Sequence, residues 1–83
     1  MRHDLKCAPR WYEYASDQAK MFELRLDDRS YTVGDELVLR EYEEGQPTGR
    51  TLRRRVSCVV RHTDGPWLMT GYVALGLSPV EEP

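Results

Sequence analysis

Residues 50–62 read Arg-Thr-Leu-Arg-Arg-Arg-Val-Ser-Cys-Val-Val-Arg-His. Leu52, Val56, Cys58 and Val60 alternate with Thr51, Arg53, Arg55, Ser57 and Arg61, a period of two that predicts a long strand with one apolar and one basic face. Arg54 falls on the apolar parity, which marks a bulge, an open barrel end or a pairing with an acid such as Glu41. Ahead of this strand, Leu37, Val38, Leu39 and Tyr42 predict another, joined to it by a hairpin loop over 43–49. Behind it, Thr63-Asp64-Gly65-Pro66 turns the chain, and residues 70–77 supply a last strand with Val73, Leu75 and Leu77 on one face.

Nearer the start, Phe22, Leu24 and Leu26 alternate with Met21, Glu23 and Arg25. This predicts a half-buried strand from residue 20, its leucines helping to fill the core. Pro9 suits the first turn of a helix over residues 9–18, with an apolar stripe of Trp11, Tyr12, Tyr14, Ala15 and Ala19. Four or five short strands and one early helix make an α+β domain, a small curled sheet or open barrel. Residues 1–77 read as one domain and 78–83 as a tail of proline and acid.

The chain has 83 residues, too few for a second module or a deep cavity in a large core, since a domain of this size buries only about 60% of its unfolded surface. Any site is therefore a shallow cleft. A net charge of −2 denies it the overall basic field of a non-specific nucleic-acid coater, so any such binding needs locally sorted charge. No apolar run approaches the roughly 20 residues of a membrane span, and Met1 to Lys6 lacks a signal-peptide segment, so the expectation is a cytoplasmic protein. Cys7 and Cys58 are far apart in the chain and read as reduced, packed thiols.

Charge gathers at the ends and exposed faces of the first strands, in His3, Lys6, Lys20, Glu23, Arg25, Asp28, Arg29, Asp35 and Glu41. Strand parity puts Glu23 and Arg25 on one face, where Arg offers a planar fork to phosphate and Glu accepts from an amino group. The same pair also reads as a simple cross-strand ion pair. Arg50, Arg53, Arg54, Arg55 and Arg61 form either a phosphate-tracking strand or a solvated face protected by charge against edge pairing. Tyr31 and Trp67, each beside a turn, are the better candidates for stacking bases, while Trp11 and Tyr14 are assigned to the core. His3 and Cys7, with Cys58 or His62, offer only a weak metal pattern. Neither a Gly-rich phosphate loop nor a Gly-x-Ser-x-Gly turn is present, and no cofactor is called for.

The succession His3-Asp4-Leu5-Lys6, the aromatic helix with Trp11 and Tyr12, Lys20-Met21-Phe22-Glu23-Leu24-Arg25, Asp28-Arg29 and Val33-Gly34-Asp35 resembles small phage and bacterial domains of unknown function in the ASCH superfamily. Arg40-Glu41-Tyr42, Thr48-Gly49-Arg50 and Gly71-Tyr72-Val73-Ala74-Leu75 extend the resemblance over nearly the whole chain. The resemblance implies a PUA-like mixed β-barrel with a helix near its opening and an RNA- or nucleotide-binding cleft between them. His3, Lys6, Lys20, Glu23, Arg25 and Arg29 match the family's polar motifs and are carried onto that cleft.

Some members of that superfamily are amidohydrolases of an acylated cytidine, with a lysine followed by a threonine nucleophile. Lys20 matches the lysine, but Glu23 stands in the threonine's place, and a carboxylate there would form a reactive anhydride. The leading expectation is a monomeric, membrane-free module that binds RNA or a modified nucleotide through His3, Lys6, Lys20, Glu23, Arg25, Arg29, Tyr31, Arg53 and Arg55. The alternatives are a hydrolase using His3, Lys20 and Glu23 in acid-base RNA cleavage, and a phage-type adaptor docking on a protein.

Overall fold

A computed structural model describes residues 1–80. Its elements are β1 (Arg2–Cys7), α1 (Pro9–Ser16), β2 (Phe22–Leu26), β3 (Glu36–Glu43), β4 (Gln46–Arg61), a 3-10 turn at His62–Asp64 and β5 (Tyr72–Pro79). The strands form one curled five-stranded mixed sheet in the order β1-β3-β4-β5-β2, an α+β half-barrel with a single helix. β1 runs parallel to β3, and the other three pairings are antiparallel. No helix among the described residues is long and apolar enough to cross a membrane.

The two central strands meet at Glu44 and Gly45, whose φ values of 51° and 79° suit a two-residue hairpin turn whose twist matches that of the strands. The expected seven-residue loop is therefore two residues long, and β4 begins at Gln46. At the other end β5 continues to Pro79, its Ser78 and Pro79 opposite Arg55 and Arg54. Strand pairing thus runs two residues into the stretch read as tail, of which residues 81–83 lie outside the described residues.

The register of β4 slips between Val56 and Cys58, where one extra residue reverses the parity of the rest of the strand. Val56 is buried, but Cys58 is exposed and Val59 takes the inward position. Arg61 consequently leaves the face that carries Arg53 and Arg55. It donates from Nε to Asp27 Oδ2 at 3.1 Å and from Nη2 to the Tyr31 carbonyl at 2.6 Å.

Leu5, Tyr12, Ala15, Leu37, Leu39, Val56, Val73, Leu75 and Leu77 make up most of the core. Pro9 opens α1 at a position where its missing N–H leaves no bond unmade. The helix buries Tyr12 and Ala15, whereas Trp11 and Tyr14, expected inside, remain half exposed. A helix of 8 residues resting on a curved sheet buries one narrow stripe, and these two rings lie off it.

Arg54 is buried beneath the end of that helix. Its guanidinium donates from Nη2 to the Ala15 carbonyl and from Nη1 to the Arg53 carbonyl, both at 2.8 Å. A helix leaves its last carbonyls without internal partners, and a cation there also opposes the negative end of the helix dipole. Arg54 is thus a helix cap, and Glu41 instead accepts from Thr48 Oγ1 at 2.7 Å.

β2 has the opposite sense from its sequence pattern. Glu23 is 4% exposed, whereas Phe22, Leu24 and Leu26 are 49%, 56% and 56% exposed. Alternation fixes which residues share a face, but the face that turns inward is set by the neighbouring strands. Here β2 closes the far edge of the curl, and its polar side is turned to the interior.

Candidate functional site in the seam between the edge strands

The two edge strands, β1 and β2, face each other across the opening of the half-barrel and are joined by side chains. Arg25 donates from Nη2 to the Lys6 carbonyl at 2.9 Å, and Arg29 donates from Nη1 to the Asp4 carbonyl at 2.7 Å. Asp4 and Lys6 are two residues apart on β1, so their carbonyls leave the same edge. The arginines satisfy acceptors that a sixth strand would otherwise take. Two guanidinium staples therefore hold the seam.

Beside the first staple lies a cleft of about 440 Å³ lined by Lys6, Cys7, Ala8, Trp11, Lys20, Phe22, Glu23, Leu24 and Arg25. Its base is the buried Glu23 carboxylate. Lys20 Nζ donates to Oε1 in a close pair, and Arg25 Nε donates to Oε2 at 2.9 Å. A carboxylate with two cations is fully compensated, and because each oxygen carries two lone-pair sites it can still accept from a third donor. Adding Lys6 gives the cleft three cations against one anion, a net attraction for anionic ligands. Lys20 also stands over the Phe22 ring at 5.3 Å and Lys6 over Tyr42 at 4.8 Å, which orients both ammonium groups.

The local fold explains why these groups meet. Lys20 sits in the turn after α1, where Gln18 has a φ of 60°, and the inverted face of β2 carries Glu23 and Arg25 inward. β1 then ends at Cys7 beneath the start of α1, bringing Lys6 and Trp11 to the rim. Burial first, and then the Glu23 charge, pushes the Cys7 thiol up from its ordinary pKa. The group is therefore a protonated, apolar wall at neutral pH.

His3 lies elsewhere, correcting its assignment to the cleft. It is buried on β1, where Nε2 donates to Asp35 Oδ2 at 2.8 Å and the ring packs on Tyr31 with centroids 4.8 Å apart. Asp35 also accepts from the Thr32 amide at 3.0 Å and the N-terminal ammonium at 3.1 Å. The His3 bond is the largest of the influences that draw the Asp35 carboxyl below its ordinary value. Parity explains the position: His3, Leu5 and Cys7 form the buried side of β1, and Lys6 is on the other.

Tyr31, expected to stack on a base, is 1% exposed and belongs to the core. Burial is the main cause that raises its phenol pKa. Trp67 keeps an open ring but lines neither cleft. The basic face of β4 is dispersed among separate partners. Arg53 forks onto Glu36 at 3.1 and 2.9 Å, and Arg55 donates to the Gly34 carbonyl at 2.8 Å. Arg50 pairs with Glu13 at 2.8 Å and covers the Tyr12 ring. The Arg53 fork pulls the Glu36 carboxyl below its usual range. Of the expected residues, Lys6, Lys20, Glu23 and Arg25 converge, Arg29 borders them, and His3, Tyr31, Arg53 and Arg55 do not join them. No group of three or more His, Cys, Asp or Glu side chains among the described residues is placed to hold a metal ion.

Sequence reasoning missed the carbonyls of Asp4 and Lys6, Trp11 as a cleft wall, and Asp35 as the partner of His3. The alternation His3-Leu5-Cys7 was the available sign that the opening residues form a strand. It is only three positions long and has no turn tying it to β3.

An uncharacterized 12.9 kDa protein of Escherichia phage P2, described as lying in the GpA 3'region, is 33% identical over 66 residues. The aligned region is 80% of this chain and 59% of that relative. A family model described as a domain of unknown function, DUF3850, matches residues 2–77. The match takes in β1 to β4, the helix and most of β5, so the chain belongs to the DUF3850 family.

Proposed function

We propose that this domain binds a nucleotide unit of RNA, or a modified nucleotide, in the cleft between α1 and the edge strands, as a PUA-like module of the ASCH type. The curled half-barrel with a single helix is consistent with that kinship. The observation that carries the reading is the cationic pair Lys20 and Arg25 on buried Glu23, with Lys6 on the cleft's rim and Trp11 and Phe22 as walls. The ammonium and guanidinium groups supply phosphate contacts, the ring faces supply stacking, and Glu23 accepts from a base amino group. A binding module fits this site better than an acid-base enzyme, because His3 is committed to Asp35 outside the cleft. The module acts as a cytoplasmic monomer.

Amide correlation spectra recorded during addition of single-stranded RNA, duplex RNA, DNA and nucleosides, at low and physiological salt, test the reading. Shifts at Lys6 to Trp11 and Lys20 to Arg25 that weaken with salt are the expected result. Spectra unmoved by every nucleic acid and nucleoside would overturn it. The exposed row Phe22, Leu24 and Leu26 would then favour a protein-binding adaptor.

A further inference from the structure

A second cavity of about 270 Å³ lies farther along β2, lined by Leu5, Leu24, Arg25, Leu26, Asp28, Arg29, Tyr31 and Tyr72. It shares Leu24 and Arg25 with the first cleft. Arg25, reaching across to the Lys6 carbonyl, divides one groove into two compartments. We infer that this groove is a two-nucleotide site for single-stranded nucleic acid, the second cavity taking the neighbour of the nucleotide held in the first. The inference rests on the nucleotide reading of the first cleft.

Three features carry it. The first is the groove's length. Phe22 and Leu26 bound it along a strand that advances about 3.3 Å per residue, so it runs roughly 13 Å, enough for two successive units of an extended chain. The second is the order of groups along it: Lys6 and Lys20 at one end, Arg25 in the middle, Arg29 at the other. Phosphates recur along a strand, and cations repeated at intervals match them. The bonds to Glu23 and Lys6 use two of the five N–H donors of Arg25; the bond to Asp4 uses one of Arg29's, and the Asp28 carboxylate, which also lines the second cavity, stands 3.8 Å from Arg29 Nε. Both staples therefore retain donor capacity for a phosphate between the compartments.

The third feature is the apolar row. Phe22, Leu24 and Leu26 are exposed along this edge, and Tyr72 stands opposite Leu26 on β5. Leu77 N–H donates to the Met21 carbonyl and Asp27 N–H to the Gly71 carbonyl, so the odd-numbered residues of β2 bond to β5. By the alternation of an antiparallel ladder, the backbone groups of Phe22, Leu24 and Leu26 turn toward the seam. The groove thus offers apolar surface beside backbone donors and acceptors, a combination that suits base faces and base edges without demanding one sequence. A double helix is too wide to enter a seam spanned by guanidinium groups, which restricts the ligand to a single strand.

The test compares each ribonucleoside 5′-monophosphate with its 5′-phosphorylated homodinucleotide, and with the deoxy dinucleotide, by amide-shift titration. At least one dinucleotide is expected to bind about tenfold tighter than its monophosphate, in line with one added stacked base. Its additional shifts should fall at Leu26, Asp28, Arg29 and Tyr72. The sugar that binds tighter identifies the strand as RNA or DNA. Leu26→Glu, an exposed change, should abolish the tenfold gain while leaving monophosphate affinity unchanged. Equal affinities for one and two nucleotides, or a full gain in Leu26→Glu, would overturn the two-compartment site while sparing the first cleft. No binding of either length would instead remove the nucleotide reading itself.

Discussion

Replacing Arg25 with Ala removes a staple of the seam together with one of the two cations on Glu23. The bond to Glu23 ends on a buried carboxylate, and a charge-assisted bond in that setting contributes about 1.5 kcal/mol. The bond to the Lys6 carbonyl is open to water, which replaces the lost donor, so its loss costs only about 0.5 kcal/mol. Glu23 keeps Lys20 and is not left as a lone buried charge, which would cost nearer 3–5 kcal/mol. The expected destabilisation is therefore about 2 kcal/mol, or a Tm lower by about 8–16 °C for a domain of this size. Urea unfolding followed by tryptophan fluorescence reads it as a lower midpoint at an unchanged slope. Arg25→Lys should recover about half, because one ammonium group cannot serve both Glu23 and Lys6 O. An Arg25→Ala variant within about 0.5 kcal/mol of the parent would refute the idea that guanidinium groups close the seam.

Inverted β2 predicts unequal costs for two leucines: Leu75→Ala should lose about 2–5 kcal/mol, whereas Leu24→Ala should stay within about 0.5 kcal/mol in the same urea assay. Asp35 has a lowered carboxyl pKa in the folded state, so its contribution is complete above the ordinary carboxylate range and is lost as pH falls through the depressed folded value. Urea midpoints measured from pH 6 down to pH 2 should therefore fall more steeply below about pH 4 in the parent than in Asp35→Asn. Thiol labelling followed by mass spectrometry should modify exposed Cys58 quickly and buried Cys7 only under unfolding conditions; equal rates would contradict the packing of β1 under α1.

The central strands, the last strand and the helix were legible in the sequence because each is a local pattern bounded by turn residues. Arg50 to Val56 kept its alternation, and the Glu44-Gly45 turn lay within the predicted loop. What escaped depends on contacts between distant residues. The extra residue near Ser57 moved Arg61 off the basic face, and no composition signal distinguishes a bulge there from a regular strand. Phe22, Leu24 and Leu26 have the pattern of a core strand, yet the curl of the sheet turns Glu23 inward. β1 gave too short a pattern to be read as a strand, and its partner lies 34 positions along the chain. The site was half legible for the same reason. Lys20, Glu23 and Arg25 are close in sequence and do converge, whereas His3, carried over by the resemblance, is bonded to Asp35, and Tyr31, chosen for its place beside a turn, is buried in the core and meets only the second cavity.

The sheet order has a consequence for how the chain reaches its fold. β3, β4 and β5 are consecutive and antiparallel, so they can zip as a meander from the Glu44-Gly45 turn. β1 and β2 must attach to opposite margins of that meander, and β2 pairs with residues about 50 positions later, such as Glu23 with Leu75. Such long loops cost entropy before any contact repays them, which places folding in the slow, millisecond-to-second range of sheet proteins. On a ribosome β2 emerges early yet cannot pair until the final strand is made. The arginine staples join two segments that pair independently with opposite margins of the meander, so the seam can close only after both have docked.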